Sequence, residues 1–294
     1  MSTGFFPRTA VLAAALVALT AVGSAQAQAL VGLTSSNQIT RFNATTPGTS
    51  TSVAITGLLA GERFVGLDLR PSNNTIYGIT FSNRIYTVNE FTGAATFVAA
   101  MSSAAVTGFQ GWGIDFNPVA DFAGTASLRL VGSGGGNFGV NANTGAVTTG
   151  TPVATGYTGV SYTNSSTAGA PASTGLYYIN STTDTLSFAA TGFNNPTITT
   201  IGSLGVDVLS ANGFEVLSNG TAFAALNVDN GSAATSLYSI NLGTGAATLL
   251  GQYNGTLSGL TISVVPEPGT YALMLAGLGL VGFSAKRRLG RVSR

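Results

Sequence analysis

The sequence predicts an all-β fold made of repeated four-stranded units, and three observations carry that reading. The first is composition. Charged residues make up 7% of the 294 residues, there are 40 glycines, and there is no cysteine or histidine. An ordinary soluble domain carries about 25% charge; here Gly, Ser, Thr, Asn and Ala supply the polarity, as in turn-rich β proteins. The second is a phrase in which an apolar residue precedes Asn, at Phe42-Asn43, Val88-Asn89, Val140-Asn141, Ile179-Asn180 and Ile240-Asn241. Three copies continue almost identically, as NEFTGAATFVA from Asn89, NANTGAVTTG from Asn141 and NLGTGAATLLG from Asn241, and Asn43 opens a looser one. Each reads as strand, Thr-Gly turn, strand. The third is Gly-apolar-polar-apolar, starting at Gly66, Gly113, Gly159, Gly213 and Gly259 with spacings of 47, 46, 54 and 46. Gly205-Val206-Asp207-Val208 also fits, which leaves the register near residue 205 open.

A period of about 48 residues with about four short strands matches one blade of a β-propeller. The unit after residue 62 shows them in order: VGLDLRP, TIYGITFS, RIYTVNE and AATFVAAM. The last unit repeats them as GFEVLS, TAFAALNV, SLYSINL and AATLLGQ. The first unit, ALVGLT, QITRFN and TSVAIT, lacks its first strand, and the body ends on an unattached one, LSGLTIS. If that last strand completes the first unit, the ring closes and leaves no open edge. The prediction is a β-propeller-like body of about five four-stranded blades, with six as the alternative and an open solenoid or sandwich as the competing architecture.

Ahead of the body, residues 1–27 read as a secretory signal. Arg8 gives a positive start, Ala10 to Val22 is apolar apart from Thr20, and Ala25-Gln26-Ala27 offers the small-x-small pattern of a signal peptidase site. The body spans residues 28–263.

Residues 264–294 are of another kind. Val265-Pro266-Glu267-Pro268 is followed by an apolar stretch at 269–285 and a tail at 286–294 carrying Lys286, Arg287, Arg288, Arg291 and Arg294. As a helix the 17-residue stretch spans ~25 Å, slightly short of a ~30 Å hydrocarbon core. The basic tail would stay in the cytoplasm and hold the body outside the inner membrane. The prolines keep the preceding segment extended and stop the helix growing back into the body. This order of parts resembles the PEP-CTERM sorting signal. The resemblance implies recognition by an exosortase, a membrane-embedded cysteine transpeptidase-like enzyme, with cleavage near Pro266 to Pro268; proteins with this signal occur in Gram-negative bacteria, often ones that make exopolysaccharide.

The body resembles a family of secreted bacterial domains of unknown function. The matching phrases are GIDFNPVAD (from Gly113), LRLVGSG (from Leu128), NANTGAVTT (from Asn141), SYTNSSTAG (from Ser161), LGVDVLSANGF (from Leu204) and LYSINLGTGAATLLG (from Leu237). The likeness implies a fold and an exported context but no activity. The uncharged stretch GSGGGNFGVN, from Gly132, departs from an arginine-richer phrase in the family.

Charge and residue type exclude several functions. Without Cys or His there is no disulfide, thiol nucleophile, Cys/His zinc site or Ser-His-Asp triad. The body has nine acids, five arginines and no lysine, so nucleic acid is excluded as a partner. Asp68, Asp115 and Glu215 occupy the polar slot of the glycine phrase, where Ser161 and Thr261 stand in other copies. If that strand is innermost, the acids share a channel and could hold calcium through oxygen ligands. The alternative is that each slot residue hydrogen-bonds the neighbouring blade, which the uncharged Ser161 and Thr261 favour. Asn227 to Gly231 reads as an Asn-Gly hairpin turn rather than half a calcium loop. Trp112 reads as inter-blade packing, and Tyr77, Tyr86, Phe138, Tyr178 and Tyr238 as core. The expected function is an exported, non-enzymatic surface or extracellular-matrix protein with a structural or binding role. Its partners are signal peptidase, an exosortase-type enzyme, the inner membrane before processing, and exopolysaccharide. The alternative is a calcium-dependent propeller hydrolase with an acidic central channel.

Overall fold

The computed structural model describes residues 28–108, 110–209 and 213–264, together with Leu278. The signal segment, Val265 to Pro268, the basic tail and, apart from Leu278, the apolar stretch 269–285 lie outside the described residues.

Five antiparallel four-stranded sheets form five blades. Blade 1 holds β1 (Ala29–Thr34), β2 (Gln38–Asn43) and β3 (Thr46–Ala54). Blade 2 holds β4 (Phe64–Arg70), β5 (Thr75–Thr80), β6 (Arg84–Val88) and β7 (Ala95–Ala100). Blade 3 holds β8 (Trp112–Phe116), β9 (Ser127–Gly132), β10 (Asn137–Asn141) and β11 (Val147–Thr149), with a helical excursion after β8 that Asn117 caps. Blade 4 holds β12 (Tyr157–Tyr162), β13 (Leu176–Asn180), β14 (Thr185–Ala189) and β15 (Thr199–Ser203). Blade 5 holds β16 (Gly213–Val216), β17 (Ala222–Leu226), β18 (Ser236–Ile240) and β19 (Ala247–Gln252). The last strand, β20 (Leu257–Ile262), returns to blade 1 and pairs with β1, Val31 opposite Thr261, so the first unit takes its inner strand from the far end of the chain. The ring has five blades and closes as the sequence predicts.

Burial follows radial position. β4, β8, β12 and β16 are buried along their whole length, whereas β7, β11, β15 and β19 are mostly exposed or half-buried. Each blade is wedged between two others, so its middle strands bury both faces. The apolar core is therefore five wedges. One joins blades 2 and 3 through Tyr77, Ile79, Ile114 and Leu128, and another closes the ring between blades 5 and 1 through Leu237, Phe223, Leu30 and Phe42.

The two recurring phrases have physical reasons. In the Asn phrase, Asn89, Asn141 and Asn241 each accept two backbone N–H bonds in the following turn through Oδ1. The turn glycine, Gly145 (φ +73°), rests on the carbonyl of Ala100 at the end of the preceding blade's outer strand. Positive φ and that close approach both require glycine. In the glycine phrase, a Cβ on Gly113 would lie 2.7 Å from the backbone nitrogen of Val160 on the next inner strand. Glycine there lets adjacent inner strands approach near the axis.

Two local expectations change. Gly213 begins the inner strand of blade 5, while Gly205 (φ +75°) lies in the connection before it. Residues 227–235 form an open loop between β17 and β18 rather than a tight hairpin, because Asp229 N–H is drawn across to the carbonyl of Asp207. Trp112 and four of the five strand aromatics are buried, and Phe138 packs half-buried against the blade 2–3 wedge.

Candidate functional site

The hub of the ring is where five inner strands turn an unpaired edge toward the axis. The N–H groups of that edge are buried and need acceptors. The slot residue of the preceding blade supplies them in rotation. Asp68 Oδ2 accepts from Phe116 N (2.8 Å), Asp115 Oδ1 from Tyr162 N (3.1 Å), Ser161 Oγ from Val216 N (2.8 Å) and Thr261 Oγ1 from Leu69 N (3.0 Å). Two hydroxyls donate back into the ring, Thr261 to Asp68 Oδ1 at 2.9 Å and Ser161 to Asp115 Oδ2 at 3.1 Å. The fifth slot carries Glu215, one methylene longer, whose Oε2 is buried without a hydrogen-bond partner.

The hub thus brings together the three acids that share the slot in the sequence. One oxygen from each of Asp68, Asp115 and Glu215 lies within 4.8 Å of the others. Their exposures are 4%, 2% and 4%. Burial pushes the Asp68 carboxyl up to about 7 against the pull of its Phe116 and Thr261 bonds. Burial, with the charges of Asp68 and Glu215 added, holds Asp115 well above the usual carboxylate range. Glu215 is raised by burial and by Asp68, against the pull of the Thr261 side chain. Such a cluster can share protons or hold a hard cation; three fully ionised carboxylates in a dry hub would repel one another.

Two buried arginines lie near the hub, and Arg129, opposite Asp115 on the neighbouring strand, is bonded to the neutral groups of Tyr162, Asn137 and Asn194. Arg70, at the end of β4, donates to Asp121 Oδ1 at 2.7 Å and to Asn143 Oδ1 at 2.6 Å. At the same end of the inner strands, a cavity of about 10 Å³ lies between Glu215, Leu69, Ile262 and the loop residues Ser165 to Thr167. The opposite end has a cleft of about 180 Å³ lined by Arg63, Gln110, Trp112 and Ser258.

A second constellation was not singled out in the sequence. Glu90, following β6, is buried, and its Oε1 accepts from Ser263 Oγ (2.9 Å) and Val264 N (3.0 Å). Asn74 Nδ2 donates to the carbonyl of Val264 at 3.0 Å. These residues grip the chain where it leaves β20, immediately before Val265. Nothing local marks them: Glu90 stands in the Asn phrase beside a turn, and its partners lie far along the chain.

Ring, hub and exit define a closed five-bladed propeller with three buried acids at its hub and a chain exit gripped at blade 2. The chain belongs to the family described as "Domain of unknown function (DUF4394)", which matches residues 38–261. Residues 264–288 match the PEP-CTERM protein-sorting motif, which marks the chain for processing by an exosortase and for export to the surface or the extracellular space. No curated protein matches the chain. Among solved structures, it is similar to a structural genomics protein of unknown function from Bacteroides thetaiotaomicron VPI-5482, with 14% identity over 77% of this chain and a TM-score of 0.46. The match spans 58% of that protein's length. It is also similar to a calcium-binding protein, regucalcin, from Agrobacterium tumefaciens str. C58, with 10% identity over 79% of this chain and 71% of that one and a TM-score of 0.41. Likenesses at this level carry no argument about the role of this chain.

Proposed function

We propose that this chain is an exported propeller delivered to the cell surface or extracellular matrix, where the body, residues 28–263, has a structural or binding role and is not an enzyme. The signal at 1–27 is removed after Ala27. The stretch 269–285 holds the chain in the inner membrane with residues 286–294 in the cytoplasm, until an exosortase cuts near Val265-Pro266-Glu267-Pro268. Exopolysaccharide is the surface component it meets.

The observation that carries this reading is the position of the closing strand. β20 ends at Ile262, so every strand of the ring precedes the sorting motif. The tail can be cut away without removing a strand or opening an edge. The hydrolase alternative is disfavoured by burial: its three carboxylates are at most 4% exposed and their neighbours are bonded into the ring. A substrate would have to part the inner strands to reach them.

The test is intact-mass analysis of the protein from its native bacterium, with and without the exosortase. The expected mature chain begins at Gln28 and lacks everything after Pro268, while the deletion strain retains the tail. Mature protein still carrying Arg294 in the competent strain would overturn the sorting mechanism. Retention of mature protein on purified exopolysaccharide tests the binding role.

A further inference from the structure

We propose that Asp68, Asp115 and Glu215 form a binding site for one hard divalent cation of the calcium class, which clasps three blades together at the hub. The site has a structural role, and it stands independently of how the chain is sorted.

Geometry comes first. A calcium ion takes oxygens at about 2.3–2.6 Å, which puts its ligands up to about 5 Å apart. The three carboxylates present one oxygen each within 4.8 Å of one another, with no rearrangement of the strands. The acids come from β4, β8 and β16, and so from blades 2, 3 and 5. One ion between them would tie strands that are otherwise joined only through side-chain bonds and packing.

The second observation is the orphan oxygen. Glu215 is 4% exposed, and its Oε2 has no hydrogen-bond partner. A buried carboxylate oxygen left unpaired is costly and in native proteins calls for a partner. The other slot residues serve the backbone of the next blade, but this oxygen has no such task. Glutamate at this slot, rather than the shorter Asp, Ser or Thr of the other four, reaches further for a ligand.

Charge points the same way. Among the described residues, Arg70 pairs with Asp121 and Arg84 with Glu62, and neither pair includes a hub acid. No ion pair among the described residues therefore reaches the three carboxylates, and the buried Arg129 opposite Asp115 is bonded to Tyr162, Asn137 and Asn194 instead. A divalent ion supplies the balancing charge and lets all three ionise, as buried acids around a metal do. The cavity beside Glu215, about 10 Å³, is the size of one water molecule, which would meet Glu215 alone of the three acids. Oxygen donors alone, with no nitrogen or sulfur, select calcium, magnesium or manganese over zinc or copper.

The test uses protein purified from its exporting host without chelator. Metal analysis should find about one divalent ion per chain. After stripping with chelator, millimolar calcium, magnesium and manganese are compared by thermal unfolding. The ion that fits should raise the melting temperature by several degrees. Glu215→Gln keeps the side-chain shape and disturbs no bond of Oε2; it should stay folded by circular dichroism and bind the ion at least about tenfold more weakly. Asp115→Asn is the second variant. The proposal is overturned if wild-type protein carries no stoichiometric divalent ion and none of the three ions shifts its unfolding. It is equally overturned if both folded variants retain the ion as tightly as wild type, because the ion would then sit elsewhere.

Discussion

Replacing Thr261 by valine isolates the latch that closes the ring. Thr261 is fully buried on β20. Its hydroxyl accepts from Leu69 N at 3.0 Å and donates to Asp68 Oδ1 at 2.9 Å, linking the strand contributed by the chain end to blade 2. Valine keeps the shape and removes both bonds. An orphaned buried N–H costs about 1–3 kcal/mol, and a lost bond to a carboxylate costs about 1.5–3 kcal/mol. Burying one more methyl group returns about 1 kcal/mol. The expected net loss is about 1.5–5 kcal/mol, a large share of the ~5–15 kcal/mol that holds a domain together. Urea unfolding followed by the single tryptophan, Trp112 at the start of β8, reads it directly. With a slope of about 1–3 kcal/mol/M, the midpoint should fall by about 0.5 M or more. Thr248→Val, on the exposed face of β19, is the control and should change stability by less than about 0.5 kcal/mol. If Thr261→Val is as mild as Thr248→Val, the hub hydroxyl does not carry the closure and the reasoning fails.

Three further outcomes follow from the geometry. Gly145→Ala should destabilise by about 2 kcal/mol more than Gly61→Ala, measured by the same unfolding curves. Both glycines have positive φ, but a Cβ at 145 strikes the Ala100 carbonyl while one at 61 meets nothing within 4 Å; equal effects would remove the packing argument for the Thr-Gly phrase. Glu90→Ala should speed amide exchange at Val264 by about tenfold or more, since it removes the acceptor that grips the chain exit; unchanged exchange would show that the grip is not held by Glu90. In chelator, stability should fall as pH rises. The folded carboxyl of Asp68, facing Asp115, Glu215 and Asp121, lies near 7 against 3.8 in the ordinary state, so the folded protein binds that proton more tightly. That stabilisation is complete below about pH 4 and is lost as pH rises toward about 7, so melting temperature should be higher at about pH 5 than at about pH 8. A flat or rising profile over that range would contradict the hub electrostatics.

Much of the fold was legible because its signals are local. The Asn phrase encodes a turn whose bonds run two or three residues ahead, as at Asn141 to Asn143 and Thr144. The glycine phrase marks inner strands because only glycine allows that approach, and the missing first strand of the first unit announces the closure. The reading faltered where a long-range bond outweighed local preference. Asn230-Gly231 is an ideal tight-turn pair, yet the pull of Asp207 on Asp229 opens the loop.

From the sequence alone come the repeat, a closed ring of five blades or six, the shared slot of Asp68, Asp115 and Glu215, and the sorting tail, each a matter of pattern along the chain. The tertiary structure alone decided how those acids meet. The slot positions are 46 to 193 residues apart along their bonds, and whether three carboxylates fall within 4.8 Å depends on ring radius and strand register, which no single blade contains. The same holds for Glu90, whose hold on Val264 reaches across 174 residues. Such contacts exist only once the last strand has come home to the first blade, because closure is what brings chain-distant edges face to face.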